Sequence, residues 1–141
     1  MQPEEVVELY TAREEAIRNS INDKYQYGWI FENWMKVEDY LKDRNEALIS
    51  GGNRASKTQI GAYFIVKAAV ENPNSEIFCF CQTAEVSIRQ QQSAVYDWLP
   101  AEFKSKQTSS NAYISYKRKT GFTASSLILP NGSRISFKTY S

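Results

Sequence analysis

The residue types best suited to chemistry lie in one short segment, GGNRASKT, at positions 51–58. Glycine-rich loops of this kind wrap backbone N–H groups around phosphates, and the lysine that follows reaches the β- and γ-phosphates. The hydroxyl after that lysine binds Mg²⁺. The spacing therefore predicts that Lys57 contacts phosphate, that Thr58 is the Mg²⁺ ligand, and that ATP with Mg²⁺ is the ligand of the loop. The backbone cradle would comprise Gly51, Gly52, Asn53, Arg54, Ala55 and Ser56.

One position departs from the pattern G-x-x-x-x-G-K-[ST], because Ser56 stands where the second glycine is usual. Glycine is favoured there since its backbone bends freely and lets a phosphate approach closely. A serine in an unfavourable φ region costs about 1 kcal/mol, and its small hydroxyl can itself donate to a phosphate oxygen. A working loop, a decayed one and a coincidence are the three interpretations. We favour a working loop whose motif is weakened, not abolished.

The elements around this loop alternate between helix and strand. Apolar spacing predicts helices over residues 3–22 and 34–41, and then a strand over residues 44–50 that ends at Gly51. A largely apolar helix follows at residues 57–71 and ends before the NPN sequence. The nearly continuous apolar run SEIFCFCQ, at positions 75–82, predicts a strand covered on both faces. The pattern of residues 83–99 predicts another helix. The middle of the chain therefore alternates strand, helix, strand and helix, which favours a parallel α/β sheet.

The last third of the chain predicts short strands instead. They fall at residues 113–117, 126–129 and 134–138, and the last two are joined by PNGS, a hairpin signal because Asn and Gly tolerate positive φ. The predicted fold class is α/β: a mostly parallel sheet flanked by helices, with an antiparallel hairpin near the C-terminus. Residues 1–46 would form a helical and aromatic segment that leads into a core over residues 47–141.

Composition places the chain among soluble globular proteins, with 42% hydrophobic and 13% aromatic residues. No apolar run approaches the ~20 residues that cross a bilayer. The acidic, amphipathic N-terminus resembles neither a secretory signal nor a transit peptide. Cys79 and Cys81 alternate along a probable strand, and no histidine is present to complete a zinc site. We expect two reduced thiols in a packed strand.

The net charge of +1 conceals an uneven distribution. Residues 1–46 contain eleven acidic and six basic residues, whereas residues 103–141 contain seven basic residues and no acidic one. Such asymmetry indicates either a surface for a polyanion or a segment that pairs with acidic residues elsewhere.

The sequence of the loop and its surroundings resembles the large terminase subunits of tailed bacteriophages, the motors that package DNA. GGNRASKT resembles their Walker A motif, which commonly carries an arginine and varies at the final glycine. The segments YGWIFENWMKVEDYLKDRNEALISGGNR, IFCFCQTAEVSIRQQQ and SSLILPNGSRISFKTYS are similar to the segments that flank that motif in the family. The resemblance covers roughly residues 25–141, and the loop is its only specific part. It implies a P-loop NTPase fold of the RecA/ASCE type.

The resemblance implies roles for several residues. Lys57 and Arg54 would act in catalysis, with Arg54 sensing the γ-phosphate and stabilising the charge that develops in phosphoryl transfer. A surface arginine paired with a carboxylate is the alternative for Arg54. Trp29 and Trp34 occupy a region that packs against adenine in the family, although core positions are the interpretation that we favour. Gln82 and Thr83 would face nucleotide or DNA, because ligands gather at the carboxyl ends of parallel strands.

The family also implies parts that this chain does not contain. Walker B, an apolar strand ending in an acid pair, is absent between residues 59 and 141. We therefore expect an incomplete domain, the first part of the ATPase core, which alone hydrolyses almost no ATP. The intact protein would be an ATPase and a nuclease that forms a homo-oligomeric ring in the infected bacterial cell. Its partners would be double-stranded DNA, the portal protein and the small terminase subunit.

Two other functions are compatible with the sequence. One is a helicase-like P-loop NTPase acting on nucleic acid, which the residues after position 141 would distinguish from a terminase. The other is a non-catalytic module that binds DNA or a partner protein through the basic C-terminal segment. This second alternative predicts salt-dependent DNA binding that Lys57→Ala does not change.

Overall fold

Helices dominate the N-terminal part of the structure, a computed structural model that describes residues 2–52, 57–104 and 114–140. Helix α1 (Pro3–Asn22) confirms the prediction over residues 3–22, and a capping box closes its start: Gln2 donates its backbone N–H to the Glu5 carboxylate at 3.1 Å. None of its residues is buried. Two shorter helices follow, α2 (Lys24–Tyr27) and α3 (Glu32–Leu41).

Asp23 joins this N-terminal part to the rest of the molecule. Its carboxylate accepts hydrogen bonds from the backbone N–H of Gln26 at 3.0 Å and of Ala101 at 3.1 Å. The first bond caps α2, and the second reaches α7 (Ala101–Lys104). A buried carboxylate is stabilised by such donors, so Asp23 fixes the position of α2 against the C-terminal half.

The strand predicted over residues 44–50 does not form. Leu48 is 96% exposed, and no strand in the described part of the chain pairs with this segment. An extended backbone becomes a strand only when a neighbour completes its hydrogen-bond ladder, and sequence pattern alone cannot supply that neighbour. The prediction of a strand leading directly into Gly51 was therefore wrong for the described residues.

The helix predicted over residues 57–71 is confirmed as α4 (Lys57–Glu71), and strand β1 (Glu76–Cys81) follows it. Strand β1 pairs in parallel with β5 (Arg134–Thr139), and β5 pairs antiparallel with β4 (Ser126–Ile128). The sheet order is β1-β5-β4. The described sheet is therefore mixed, whereas the sequence predicted a mostly parallel one.

Strand β1 was predicted to be covered on both faces, and the described residues bury one face and leave the other half exposed. Cys79 is buried against the helices, but Phe78 and Phe80 on the opposite face are each 52% exposed. An apolar run indicates that both faces of a strand can be buried. Which face is covered depends on the elements that pack against the strand. Both cysteines are free, as expected, with Cys79 buried and Cys81 partly exposed.

The helix predicted over residues 83–99 is present but irregular. It starts as α5 (Ala84–Val86), continues as a π-helix (Ser87–Gln92) and ends as α6 (Ser93–Trp98). A π-helical turn widens the helix and changes the direction in which successive side chains point. Here it sends the neighbouring side chains of Gln91 and Gln92 to different partners.

Two hairpins complete the C-terminal part. The predicted PNGS hairpin is confirmed between β4 and β5, with Gly132 at φ +88°, a backbone conformation that favours glycine. The second hairpin consists of β2 (Tyr116–Lys117) and β3 (Gly121–Phe122), which pair antiparallel.

The result is a mixed α/β structure in which α4 and the irregular helix pack on one face of the small sheet. The fully buried side chains include Val66, Val95, Leu99, Leu129 and Ile135. Among the described residues, no helix is both long enough and apolar enough to span a membrane.

Candidate functional site

Lys57 stands at the start of α4, and its side chain folds back toward the residues that precede the loop. Its Nζ donates a hydrogen bond to the backbone carbonyl of Gly51 at 2.5 Å. Lys57 and Thr58 are both exposed. The two described ends of the predicted loop are therefore adjacent in space, with the ammonium group between them.

A cavity of about 440 Å³ opens on one side of Lys57. Phe31, Trp34 and Val37 form part of its apolar wall, and Asn33 adds an amide group. The rings of Phe31 and Trp34 meet edge to face at a centroid distance of 5.5 Å. Ligand pockets characteristically combine such aromatic walls with a few polar groups, so this cavity suits a planar group next to a polar or charged one.

A second cavity, of about 270 Å³, lies along the first turns of α4. Its wall includes Lys57, Thr58, Gly61 and Gln91. Gln91 comes from the π-helix, and its Nε2 donates to the backbone carbonyl of Phe80 at 2.8 Å. This bond holds the glutamine side chain between the end of β1 and the cavity. Lys57 is therefore common to both cavities.

The electrostatics of these two cavities favour an anion. Among the described residues, Lys57 is the one charged side chain in the two walls. Helix α4 has 15 residues and begins at Lys57, so the partial positive charge of its N-terminus adds to that of the ammonium group. A helix N-terminus supplemented by a lysine is a favourable position for phosphate oxygens.

The described residues at the start of α4 offer few side chains that could coordinate Mg²⁺. Thr58 lines the second cavity together with Lys57, and no group of three or more acidic, histidine or cysteine side chains suitable for a metal occurs among the described residues. Mg²⁺ commonly keeps several waters and completes its octahedron with substrate phosphates. One hydroxyl therefore fits the ion when phosphates are bound with it.

A cluster of aromatic side chains supports the first turns of α4 from behind. The rings of Trp34, Tyr63 and Trp98 lie within 5.3–5.9 Å of one another. Trp98 donates its indole N–H to the side-chain oxygen of Gln59 at 2.8 Å. Burial, followed by the charge of Glu71, raises the pKa of the Tyr63 phenol above its ordinary value of 10.0. The cluster fixes the face of α4 that carries Lys57.

Four of the predicted loop residues are placed by the structure: Gly51, Gly52, Lys57 and Thr58. A Cβ atom at Gly52 would meet no atom of the described residues within 4 Å, so packing against them does not require glycine there. The remaining four, Asn53, Arg54, Ala55 and Ser56, lie outside the described residues.

The predictions for the two tryptophans have different outcomes. Trp34 is buried in the core, as expected, and also lines the cavity beside Lys57. Trp29 is 79% exposed, so a core position was the wrong prediction for it. Gln82 and Thr83 are exposed after β1, and the Thr83 hydroxyl accepts the N–H of Val86 at 3.3 Å to cap α5.

Sequence reasoning missed Phe31, Asn33 and Gln91. Phe31 belongs to a segment already noted as dense in aromatics, and that density was the available signal. Gln91 had no such signal, because the turn of π-helix that directs it toward Lys57 is not readable from residue pattern.

Comparison of the chain with protein-family models, with curated proteins and with solved structures finds no match. The assignment of function therefore depends on the site geometry and on the sequence resemblance described above.

Proposed function

We propose that this chain binds Mg²⁺·ATP at the start of α4 and forms part of the ATPase domain of a terminase large subunit. In this proposal the mixed sheet and α4 belong to a P-loop NTPase core of the RecA/ASCE type. ATP hydrolysis in the intact protein would drive double-stranded DNA into a procapsid. The proposal includes a homo-oligomeric ring, a portal protein and a small terminase subunit as partners, and the cytoplasm of an infected bacterium as location.

The position of Lys57 is the observation that carries the proposal. The residue completes a glycine-rich loop in sequence, begins a 15-residue helix and contributes to two adjoining cavities. One cavity has an aromatic wall, and the other combines Lys57, Thr58 and Gln91 with apolar residues of α4 and α6. A ligand with a planar base and a polyphosphate fits the pair. The bond from Lys57 to the Gly51 carbonyl places the ammonium group beside the first residue of the loop.

Each residue then has a distinct task. The base would lie against Phe31 and Trp34, with the amide of Asn33 close to its polar edge. Lys57 would exchange the Gly51 carbonyl for phosphate oxygens and neutralise their charge. Thr58 would hold Mg²⁺, which supplies charge neutralisation between the β- and γ-phosphates when bound. Arg54, through the resemblance, would contact the γ-phosphate.

A titration with fluorescent ATP in the presence of Mg²⁺ tests the proposal. Loss of a hydrogen bond to a charged group costs about 1.5–3 kcal/mol, so Lys57→Ala should weaken binding by about 10- to 100-fold. Lys42→Ala is the matched control, because that lysine is exposed and forms a surface ion pair with Asp39 instead. The control should bind as the wild type does.

Equal affinity of the wild type and Lys57→Ala would contradict the proposal. Salt-dependent DNA binding that Lys57→Ala does not change, in a protein that binds no ATP, would instead support the non-catalytic module. Circular dichroism of both variants establishes that the substitutions leave the fold intact, since both side chains are exposed.

A further inference from the structure

The hairpin of β2 and β3, residues 116–122, ends in a strongly basic turn. Lys117, Arg118 and Lys119 are consecutive and exposed. The backbone N–H of Thr120 donates to the carbonyl of Lys117 at 3.2 Å and closes the turn. We call residues 116–122 the basic hairpin. Its tip displays three positive charges over a span of three residues.

The aromatic residues at its base hold the basic hairpin in place. The ring of Tyr116 stacks on Tyr96 at a centroid distance of 4.2 Å, and the ring of Phe122 stacks on Phe137 at 5.6 Å. The buried N–H of Phe122 donates to the side-chain oxygen of Gln92 at 2.9 Å. The hairpin base is therefore packed into the core, and its tip is a fixed projection.

Gly121 brings the hairpin close to the π-helix. Its φ is +74°, and a Cβ atom at this position would collide with Oε1 of Gln92. The neighbouring residue, Gln91, lines the cavity at Lys57. One turn of π-helix therefore contacts both the hairpin and the candidate nucleotide site.

The charges at the tip are almost uncompensated. Residues 114–140 contain no acidic residue. In the part of the chain that the structure describes, the one acidic side chain in salt-bridge range of the tip is Asp97, which is 3.9 Å from Arg118. The Arg118 side chain is 76% exposed, so this pair contributes little. Three exposed positive charges on a turn whose base is packed into the core form a favourable surface for a polyanion.

We infer that the basic hairpin contacts the phosphate backbone of double-stranded DNA. The choice of DNA as the polyanion depends on the function proposed above. The choice of a duplex depends on the hairpin itself, because single-strand binding proteins expose aromatic rings on which bases stack. Both aromatic residues of the hairpin pack into the core instead. Lysine and arginine at an exposed turn contact phosphates and carry no sequence preference.

A triple variant, Lys117→Gln/Arg118→Gln/Lys119→Gln, tests the inference. The control is Arg13→Gln/Arg18→Gln/Lys36→Gln, which removes the same charge from exposed positions on α1 and α3. The probe is a labelled DNA duplex, and its affinity is measured by fluorescence anisotropy at several salt concentrations. Three lost phosphate contacts reduce the slope of log K against log salt by about 2.7.

The expected result follows from that slope. Between about 50 and 200 mM salt, the wild type should lose about 40-fold more affinity than the hairpin variant does. The control variant should keep the slope of the wild type. An unchanged slope in the hairpin variant, an equal decrease in both variants, or no DNA binding by the wild type would overturn the inference.

Two further arms separate this inference from the proposed function. A single strand of equal length should bind more weakly than the duplex, and tighter single-strand binding that depends on the hairpin would contradict the choice of duplex. The hairpin variant should retain Mg²⁺·ATP binding. If the hairpin variant keeps both the wild-type salt dependence of DNA binding and its ATP binding, the basic hairpin does not contact DNA. The proposal of a nucleotide site at Lys57 would be unaffected by that result. If Lys57→Ala loses ATP binding and the hairpin variant keeps it, the nucleotide site is supported independently of the DNA result.

Discussion

Replacing Gln92 by methionine removes two buried hydrogen bonds while nearly preserving the shape of the side chain. Gln92 is 2% exposed, accepts the N–H of Phe122 at 2.9 Å and donates to the Ser87 hydroxyl at 3.2 Å. Methionine does neither, so the buried Phe122 N–H loses its partner. An unsatisfied buried donor costs about 1–3 kcal/mol, and loss of the hydrogen bond to the Ser87 hydroxyl adds a smaller cost. We expect the free energy of unfolding to fall by about 2–4 kcal/mol.

Urea unfolding followed by tryptophan fluorescence measures this change, and amide hydrogen exchange locates it. The Phe122 amide should be protected in the wild type and exchange quickly in the variant, since the hairpin base has lost its bond to the π-helix. Gln90→Met is the matched control, because Gln90 is an exposed neighbour in the same helix and its replacement should change stability by less than about 0.5 kcal/mol. A loss below about 0.5 kcal/mol in Gln92→Met, with the Phe122 amide still protected, would refute the reasoning.

Two further predictions concern the sheet. Ile135→Ala should lower the free energy of unfolding by about 2–5 kcal/mol, because Ile135 in β5 is 0% exposed. The control, Ile128→Ala, lies at a 55% exposed position in β4 and should change that free energy little. Similar losses for the two variants in urea unfolding would contradict this account of the core. Burial raises the pKa of the Cys79 thiol from 9.0 to about 11, so its contribution to stability is complete below pH 9 and is lost as pH rises toward 11. Tyr25 and Tyr63, whose pKa values burial also raises from 10.0, act in the same direction only at higher pH. The decrease in Tm between pH 9 and 10 should therefore be smaller in Cys79→Ala than in the wild type, and equal decreases would contradict the assignment to this thiol.

The sequence predicted the elements that depend on local pattern. Helix 3–22, helix 57–71 and the PNGS hairpin each carry their own signals in capping residues, apolar spacing or turn chemistry, and the structure contains all three. The strands predicted over residues 75–82 and 134–138 are also present, as β1 and β5. Their parallel pairing with each other was not predicted, because the alternation of helix and strand applied to the segments at residues 44–50 and 75–82.

The features that the sequence did not predict depend on long-range neighbours. Residues 44–50 have an apolar pattern but no pairing strand in the described chain. Phe78 and Phe80 are each 52% exposed, on a sheet face that no described helix covers. The directions in which the side chains of Gln91 and Gln92 point follow from the π-helical turn, and the residue pattern does not predict that turn. In the candidate site, motif spacing identified Lys57 and Thr58, while Phe31 and Asn33 required the three-dimensional arrangement of α3.

Hydrogen exchange with and without Mg²⁺·ATP is the measurement that tests the central claim most directly, because it shows where the nucleotide binds. ATP should slow exchange of the amides at residues 49–52 and 57–61, which flank the loop and begin α4. Adenosine, which lacks phosphates, should leave residues 57–61 unchanged, and Lys57→Ala should abolish the effect of ATP there. Protection confined to other segments, or equal protection by adenosine at the start of α4, would contradict a phosphate site at Lys57.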